Sequence, residues 1–285
     1  MAKTNTETSD FLKQYIPKSQ EDGFLKRKVQ EQVTSIFKNT QKPVFLVGDA
    51  GVGKTAMIRN IAYDLKLPFM LIQVDASLNF NDLLYKVRLE NATTHYEPGL
   101  LIKFIQNPSV ILFDELPSAN AEIFFKLHEL LQERRIYVKE LDQIFEVHKD
   151  CRIAAAGNFK NSLYVGNNKL NAALTSRFVV KVLDDFTVEE LSHIISYEEN
   201  KEMKEKIIQF YQKVKEVIVQ QKKRYVITIR HLQSIVQLLK CGFQVKEAFK
   251  FGFIDSIAVN NNLDEMRAID DIAMTSIPGY VSEEA

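Results

Sequence analysis

The sequence predicts an α/β protein: a three-layer αβα unit with a parallel five-stranded sheet, followed by a smaller all-helical unit. Five short apolar runs alternate with helix-like segments before residue 185, which is typical of a parallel sheet covered by helices on both faces. After residue 185 only helical periodicity remains. We therefore expect the boundary between the two units near residue 185.

Each element follows from its own pattern. Residues 1–21 are polar and are expected to form a flexible N-terminal segment, and apolar spacing over 22–39 predicts one amphipathic helix. The α/β unit is predicted over 22–185 and the helical unit over 186–285. Two stretches interrupt the rhythm: an insert at about 86–99, and an alternating pattern at about 135–149 that predicts a β-hairpin. The strand-like runs are PVFLVG (43–48), PFMLIQVD (68–75), SVILFDE (109–115), CRIAAAGN (151–158) and RFVVKVLD (177–184).

The composition is that of an ordinary globular protein. Of 285 residues, 46% are hydrophobic, and 37 Lys and Arg balance 37 Asp and Glu. A net charge of zero gives no whole-chain electrostatic case for binding nucleic acid or an anionic membrane. The short basic clusters at 26–28 and 222–224 lie in helix-like stretches and are interpreted as solvated faces. Two cysteines, no hydrophobic signal core and no membrane-length apolar run predict a cytoplasmic protein.

The stretch GDAGVGKT, from Gly48 to Thr55, carries the strongest chemical signal. It matches G-x-x-x-x-G-K-[ST] and stands between a predicted strand and a predicted helix. Glycines let the backbone curl so that successive N–H groups face an anion at the helix N-terminus. Lys54 can reach the outer phosphates, and the Thr55 hydroxyl can ligate Mg²⁺. The predicted nucleotide-binding residues are Gly48, Asp49, Ala50, Gly51, Val52, Gly53, Lys54, Thr55 and Ala56.

Polar side chains end two further strand-like runs. Asp114 and Glu115 close the run SVILFDE, and Asn158 closes CRIAAAGN. The carboxyl end of a parallel strand lies beside the phosphate loop, where ligands collect. We expect Asp114 to hold the Mg²⁺ shell and Glu115 to polarise an attacking water. Asn158 could position the same water, although asparagines are frequent in turns.

Two arginines complete a recognisable order of motifs. Arg177 precedes the last strand-like run, and Arg230 opens a helix of the C-terminal unit. Over residues 22 to about 260 the order phosphate loop, Asp-Glu, Asn, Arg, Arg resembles that of AAA+ ATPases. The resemblance implies a P-loop NTPase fold with a helical lid, and Asn158 as the sensor-one residue. It also implies that Arg177 is an arginine finger acting on a neighbouring subunit and that Arg230 is the sensor-two residue linking lid and nucleotide.

The resemblance narrows to the MoxR-like group. The stretch HYEPGLLIKFIQNPSVILFDELPSAN resembles the helix-two insert of that group, which ends in Pro-Gly before the acidic strand. The pattern at 135–149 resembles the pre-sensor-one hairpin of the same group, and NNKLNAALTSRF is also typical of it. The lid stretch TIRHLQSIVQLLKCGFQVKEAFKFGFIDSI is similar to the CbbQ, NorQ and CobS branch. Since DELPSAN lacks the arginine of the usual DEINRA segment, the finer subfamily stays open.

The resemblance implies ATP and Mg²⁺ as ligands and a homo-oligomer, typically a hexameric ring, that remodels or activates a partner protein. In the resembling branch the partner is often a von Willebrand factor A-domain protein, and the outcome is enzyme activation or metal insertion. Tyr96 and Tyr137 are candidate exposed aromatics of the two inserts, and a packing role is equally consistent with the sequence.

Two other functions remain open at this point. Hairpins of this kind also occur in AAA+ motors or loaders that act on DNA, and this one carries Arg134, Arg135 and Lys139. The zero net charge argues mildly against that alternative. A nucleotide-gated scaffold that hydrolyses little is the other alternative, and the Asp114-Glu115 pair speaks against it.

Overall fold

The computed structural model describes residues 10–20, 24–90, 92–158, 172–197, 200–221, 223, 225–259 and 263–280. Its strands form one five-stranded sheet and two hairpins. The strands are β1 (Val44–Val47), β2 (Phe69–Gln73), β3 (Tyr85–Glu90), β4 (Thr93–Pro98), β5 (Ser109–Asp114), β6 (Arg135–Val138), β7 (Gln143–Glu146), β8 (Cys151–Gly157) and β9 (Val179–Val182).

The helices fall into two groups, before and after β9. The first group comprises α1 (Lys28–Asn39), α2 (Lys54–Leu65), α3 (Asn81–Leu84), α4 (Leu100–Ile105), α5 (Ala121–Gln132) and α6 (Ala172–Thr175). The second group comprises α7 (Val188–Ile194), α8 (Lys201–Gln220), α9 (Ile229–Lys240), α10 (Val245–Phe249), α11 (Asp255–Ala258) and α12 (Leu263–Ser276), with a π-helical stretch at Lys250–Ile254.

The large sheet has the strand order β2-β5-β8-β1-β9, and every neighbouring pair is parallel. The predicted fold class is therefore confirmed. Because parallel strands end at the same edge, the residues that follow β1, β5 and β8 meet there. The strands β1 and β8 are neighbours, with Leu46 opposite Ala156, which places the phosphate loop next to Asn158.

The sheet is buried on both faces, as its continuous apolar strands require. Alternate residues of each strand enter different cores: Val110 and Leu112 face the core shared with α1 and α2, whereas Ile111 and Phe113 face the core shared with α4 and α5. All six residues of β5 are buried. A buried central strand fixes the position of the acidic residues that follow it.

The C-terminal helices bury a core of their own. Their apolar faces share residues such as Phe210, Phe249 and Ile254, each fully buried. Phe186, at the start of this region, packs against both this core and the core beside α1 and α2. The lid therefore contacts the α/β unit through the segment that follows β9.

Both predicted inserts are antiparallel hairpins. In the pair β3–β4, Val87 lies opposite Tyr96, and in β6–β7 Tyr137 lies opposite Ile144. The exposed fractions of Tyr96 and Tyr137 are 45% and 41%, so both tyrosines are surface residues. The structure therefore favours exposed aromatic side chains over a buried packing role for these two tyrosines.

The N-terminal region differs from the sequence expectation in two ways. Residues 10–20 are docked on the α/β unit: Leu12 is fully buried, and the Tyr15 carbonyl accepts a hydrogen bond of 3.0 Å from Phe69 N–H. Burial of these apolar side chains offsets the entropy of ordering a polar segment. The amphipathic helix begins at Lys28 rather than near residue 22, because Arg27 has an extended backbone. No helix within the described ranges is long and apolar enough to cross a membrane.

Candidate nucleotide-binding site

The loop between β1 and α2 curls through two left-handed glycines. Gly51 has φ +83° and Gly53 has φ +85°, and Gly53 caps the N-terminus of α2. A side chain at Gly51 would also lie 2.8 Å from Thr228 Cβ, and one at Gly48 would lie 2.9 Å from the Leu183 carbonyl oxygen. Backbone geometry favours glycine at Gly51 and Gly53, and close packing favours glycine at Gly48 and Gly51. The curl directs backbone N–H groups toward the space above α2.

Lys54, the first residue of α2, is the buried cation of the site. Its Nζ donates to the backbone carbonyls of Gly48 (3.0 Å) and Asp49 (2.8 Å) and to Asn158 Oδ1 (2.8 Å). Burial lowers the pKa of Lys54, and the nearby carboxylates of Glu115 and Asp114 oppose that shift. The ammonium is thus held by three neutral oxygens beside two acids.

Thr55 and Asp114 form the pair suited to a divalent cation. The Thr55 hydroxyl donates to Asp114 Oδ2 at 2.5 Å, and Asp114 is 8% exposed at the end of β5. A hydroxyl and a carboxylate at the foot of a phosphate loop are hard oxygen donors that suit Mg²⁺, which keeps several waters and takes its remaining ligands from phosphates. The residues therefore fit the predicted metal, and Mg²⁺ binding itself remains a prediction.

Glu115 and Asn158 contact each other directly. Asn158 Nδ2 donates to both carboxylate oxygens of Glu115, at 2.8 and 3.1 Å. Partial burial and the adjacent Asp114 raise the pKa of Glu115. Asn158 therefore links the acid to Lys54, because its oxygen accepts from the lysine while its amide donates to the glutamate.

The position of Glu115 depends on a tight backbone turn. Glu115 has φ +56°, a left-handed conformation that is uncommon for a residue other than glycine. The next turn brings Pro117 against Gly157 of β8, where an added Cβ would lie 2.7 Å from the proline ring. Gly157 thus permits the close approach that holds Glu115 beside Asn158. The sequence motif alone did not indicate this contact.

These groups line one cavity of about 420 Å³. Arg230 and Gln233 of α9 reach the cavity from the lid, opposite the phosphate loop. Gly48 and Asp49 are not among the lining residues, although their carbonyls accept hydrogen bonds from Lys54, which does line the cavity. The lining contains Ala50, Gly51, Val52, Gly53, Lys54, Thr55, Ala56, Asp114, Glu115, Asn158 and Arg230 from the predicted set.

The sequence interpretation missed the apolar part of this cavity. This part lies between the segment that precedes α1 and the lid. It is lined by Arg27 together with Phe24, Leu25, Phe186, Ile194 and Ile229. An apolar lining in the same cavity as the phosphate loop suits a flat nucleobase. The only sequence signal was a Phe-Leu pair ahead of a helix, which by itself indicates ordinary packing.

Arg27 corrects the interpretation of the first basic cluster as a solvated face. Its side chain is only 12% exposed, and Nε donates to Glu190 Oε1 at 2.9 Å. The guanidinium also donates to the carbonyls of Asp184 (3.1 Å) and Asp185 (3.3 Å) and lies 4.6 Å from the Phe186 ring centroid. It therefore fastens the segment after β9 to the start of α1. In the second cluster, residues 222 and 224 lie outside the described ranges, and Lys223 pairs with Glu265 at 3.2 Å.

Arg177 lies away from this cavity. It does not line it, and its guanidinium instead donates to the Ala173 carbonyl and contacts His128 and Gln132 of α5. The structure brings together every other predicted catalytic residue. An arginine outside its own subunit's site is the arrangement that a trans-acting role requires, and that role remains a prediction.

Comparison with known proteins agrees with this fold. The family described as "AAA domain (dynein-related subfamily)" matches residues 43–178. CbbQ of Hydrogenophilus thermoluteolus is 23% identical over 159 residues, which cover 55% of this chain and 58% of CbbQ. MoxR of Methylorubrum extorquens is 30% identical over 94 residues, which cover 33% of this chain and 27% of MoxR.

Some relatives are much longer proteins, and this chain matches only a small part of their length. The midasin of Dictyostelium discoideum is 23% identical over 165 residues, which cover 57% of this chain but 3% of midasin. Among solved structures, a candidate ATPase of Cytophaga hutchinsonii has a TM-score of 0.50 and 20% identity, covering 70% of this chain and 60% of its own. At that identity the structural likeness shows the fold alone.

Fold and matches agree for residues 43–178, just under half of the chain, which are similar to AAA domains. Over part of its length the chain is similar to CbbQ, NorQ and MoxR.

Proposed function

We propose that this chain hydrolyses ATP with Mg²⁺ as one subunit of a ring and uses turnover to remodel a partner protein. One observation carries the proposal. Asn158 joins Lys54 to Glu115 at the foot of a nucleotide-sized cavity, whereas Arg177 lies outside that cavity. This arrangement supports Glu115 as the acid that would activate water, and it supports Arg177 as a cation that would act on another subunit's site.

Binding of ATP would rearrange the contacts of Lys54. Its three present acceptors are neutral oxygens, so a phosphate oxygen can replace them with a stronger charge-assisted hydrogen bond. Backbone N–H groups of the loop would hold the remaining phosphate oxygens. Arg230, on the lid side of the cavity, would contact the outer phosphates and so couple nucleotide state to lid position.

Hydrolysis needs a water aligned with the γ-phosphate. Glu115 would accept a hydrogen bond from that water, and Asn158 would hold the Glu115 carboxylate in place through its amide. Thr55 and Asp114 would hold Mg²⁺, which when bound neutralises developing charge on the phosphate oxygens. In known phosphoryl transfer enzymes an arginine finger contributes on the order of 10³–10⁵ in rate, so an isolated subunit should be slow.

The trans-acting arginine makes a closed ring the simplest working assembly. Head-to-tail contacts that close generate a cyclic ring, and we propose six subunits from the family resemblance. Each subunit would then supply Arg177 to the ATP held by its neighbour.

The two hairpins are the proposed partner-binding surface. On β3–β4, Val87 and Leu89 are 59% and 76% exposed, and Tyr96 lies on the same face. On β6–β7, Tyr137 and Ile144 are exposed as a cross-strand pair. Exposed apolar and aromatic side chains favour a protein partner. A von Willebrand factor A-domain protein is the candidate that the family resemblance suggests.

The hairpin's contacts weaken the DNA-binding alternative. Arg134 donates to the carbonyls of His148 (2.7 Å) and Cys151 (3.4 Å), so it anchors the hairpin to the sheet. Arg135 and Lys139 remain exposed, which gives two free cations rather than three. Binding that disappears steeply with added salt would support DNA as the substrate, because phosphate contacts release counterions.

A Glu115→Gln variant tests the proposal. It should bind ATP with the affinity of the wild type and hydrolyse it very slowly, because a neutral amide polarises the water less. Held in ATP, it should be isolated as a ring together with its partner. Wild-type turnover by this variant would remove Glu115 from the proposed role.

A further inference from the structure

Arg177 is held by three acceptors that carry no charge. Its Nη1 donates to the Ala173 carbonyl, and its Nη2 contacts His128 Nε2 and donates to Gln132 Oε1. A guanidinium can only donate, so this contact is a hydrogen bond when His128 Nε2 is the accepting ring nitrogen. Within the described ranges, Arg177 contacts no carboxylate. No carboxylate of the described residues therefore pairs with its positive charge.

The two side-chain acceptors come from one face of α5. His128 and Gln132 are spaced i, i+4, so they lie one above the other on the helix, and both are exposed. Three of the five guanidinium N–H groups are used, and the buried Nε has no acceptor among the described residues. Among the described residues, one N–H of Nη1 has no acceptor, so it is a candidate donor to an external anion. The group is fixed in orientation while retaining a donor and a full charge.

The helix that carries both acceptors is itself fixed to the ATP site. A short helical turn, Leu116–Ser118, follows Glu115 and leads into α5. Asn120 caps the start of α5, because its side-chain oxygen accepts a hydrogen bond of 3.0 Å from Ile123 N–H. Its buried residues Ile123, Leu127 and Leu130 pack in the core beneath the sheet. A rigid helix thus sets the position of Arg177 relative to the subunit body.

We propose that His128 and Gln132 are positioning residues that hold Arg177 in the orientation needed to reach the neighbouring subunit's nucleotide. The inference rests on the proposed ring ATPase. A neutral cage suits this task better than an ion pair: a carboxylate partner would have to be displaced before the guanidinium could contact a phosphate. An untethered arginine would lose the alignment on which rate depends, and a misplacement of about 1 Å can cost about 10²-fold.

Mixed assemblies separate the subunit that gives the arginine from the subunit that holds the ATP. Glu115→Gln subunits cannot hydrolyse but can donate Arg177, whereas Arg177→Ala subunits hold a complete site that lacks only the arginine. Neither variant alone should turn over, and the mixture should. The test compares the Glu115→Gln donor with a donor that also carries His128→Ala and Gln132→Ala.

We expect the altered donor to reduce turnover of the mixture by roughly tenfold to a hundredfold. The same two changes placed in the Arg177→Ala acceptor should leave turnover unchanged. A His128→Gln donor should restore part of the activity, since its amide oxygen can accept. Lys126→Ala, on another side of α5, is the matched control and should have no effect in the donor. Mass measurement must show equal incorporation of each donor.

The outcomes distinguish the two proposals. If the unaltered mixture shows no turnover, the trans-acting function of Arg177 fails. If it turns over and the altered donor is equally effective, the positioning role fails while the ring ATPase stands. If the changes reduce turnover equally in donor and acceptor, they act on the structure of α5, and the positioning role is again overturned.

Discussion

Gly157→Ala is expected to displace Glu115, because the nearest atoms to the added Cβ belong to Pro117 and Phe45 rather than to the phosphate loop. Gly157 does not have a left-handed φ, so alanine suits its backbone and the effect is steric. The new Cβ would lie 2.7 Å from Pro117 Cγ and Cδ and 3.2 Å from Phe45 Cζ. Restoring the 3.4 Å of ordinary contact requires the proline ring to retreat by about 0.7 Å.

Pro117, the residue that must move, is two residues after Glu115 in the sequence. A shift of this size in a water-activating group should lower kcat by about tenfold to a hundredfold, since 1 Å can cost about 10²-fold. Overpacking of the buried contact should also destabilise the fold by about 1–3 kcal/mol. ATP affinity should be unchanged, because Lys54 and the loop N–H groups are not displaced.

Steady-state turnover, ATP titration and thermal unfolding measure the three quantities. Gly242→Ala is the matched control: its φ of +88° strains an alanine, yet nothing lies within 4 Å of the added Cβ. It should cost about 1–2 kcal/mol of stability and leave kcat unchanged. Wild-type kcat in Gly157→Ala, or a loss confined to ATP affinity, would refute the role of this contact in placing Glu115.

Three further predictions follow from individual contacts. Arg27→Ala should weaken ATP binding about tenfold by releasing the segment held through Glu190, and Arg27→Lys should rescue it poorly; fluorescence titration measures both. Thr55→Val should raise the Mg²⁺ concentration for half-maximal turnover by about tenfold or more, as a metal titration would show. The raised pKa of Glu115 contributes stability below the ordinary glutamate pKa of about 4.3, and that contribution is lost as pH rises through the folded-state pKa. As the pH rises from 4 to 7, the wild type should therefore lose stability relative to Glu115→Gln. Thermal unfolding of both proteins at pH 4 and at pH 7 tests the sign of this change.

Local sequence patterns predicted much of the fold. The five strand-like runs each contain an observed strand of the large sheet, because buried parallel strands are continuous apolar runs. Both inserts showed as breaks in that rhythm. The N-terminal docking could not be predicted, because the burial of Leu12 depends on a surface formed by residues distant in the sequence.

The site divides in the same way. Lys54, Thr55, Asp114 and Glu115 are predicted by motifs whose spacing reflects phosphate and metal chemistry. The interpretation of Arg27 as a solvated residue was wrong because its partner Glu190 is 163 residues away in the sequence, and no local pattern indicates the contact. The cage around Arg177 also forms across 45 to 49 residues, and only the folded chain brings α5 to it.

The central claim is that one subunit completes the ATP site of the next, and specific activity measured against protein concentration tests it most directly. Turnover per subunit should rise with concentration in parallel with the assembled fraction found by mass measurement, and the dissociated subunit should be nearly inactive. Constant turnover per subunit down to concentrations at which only monomer is present would contradict the account.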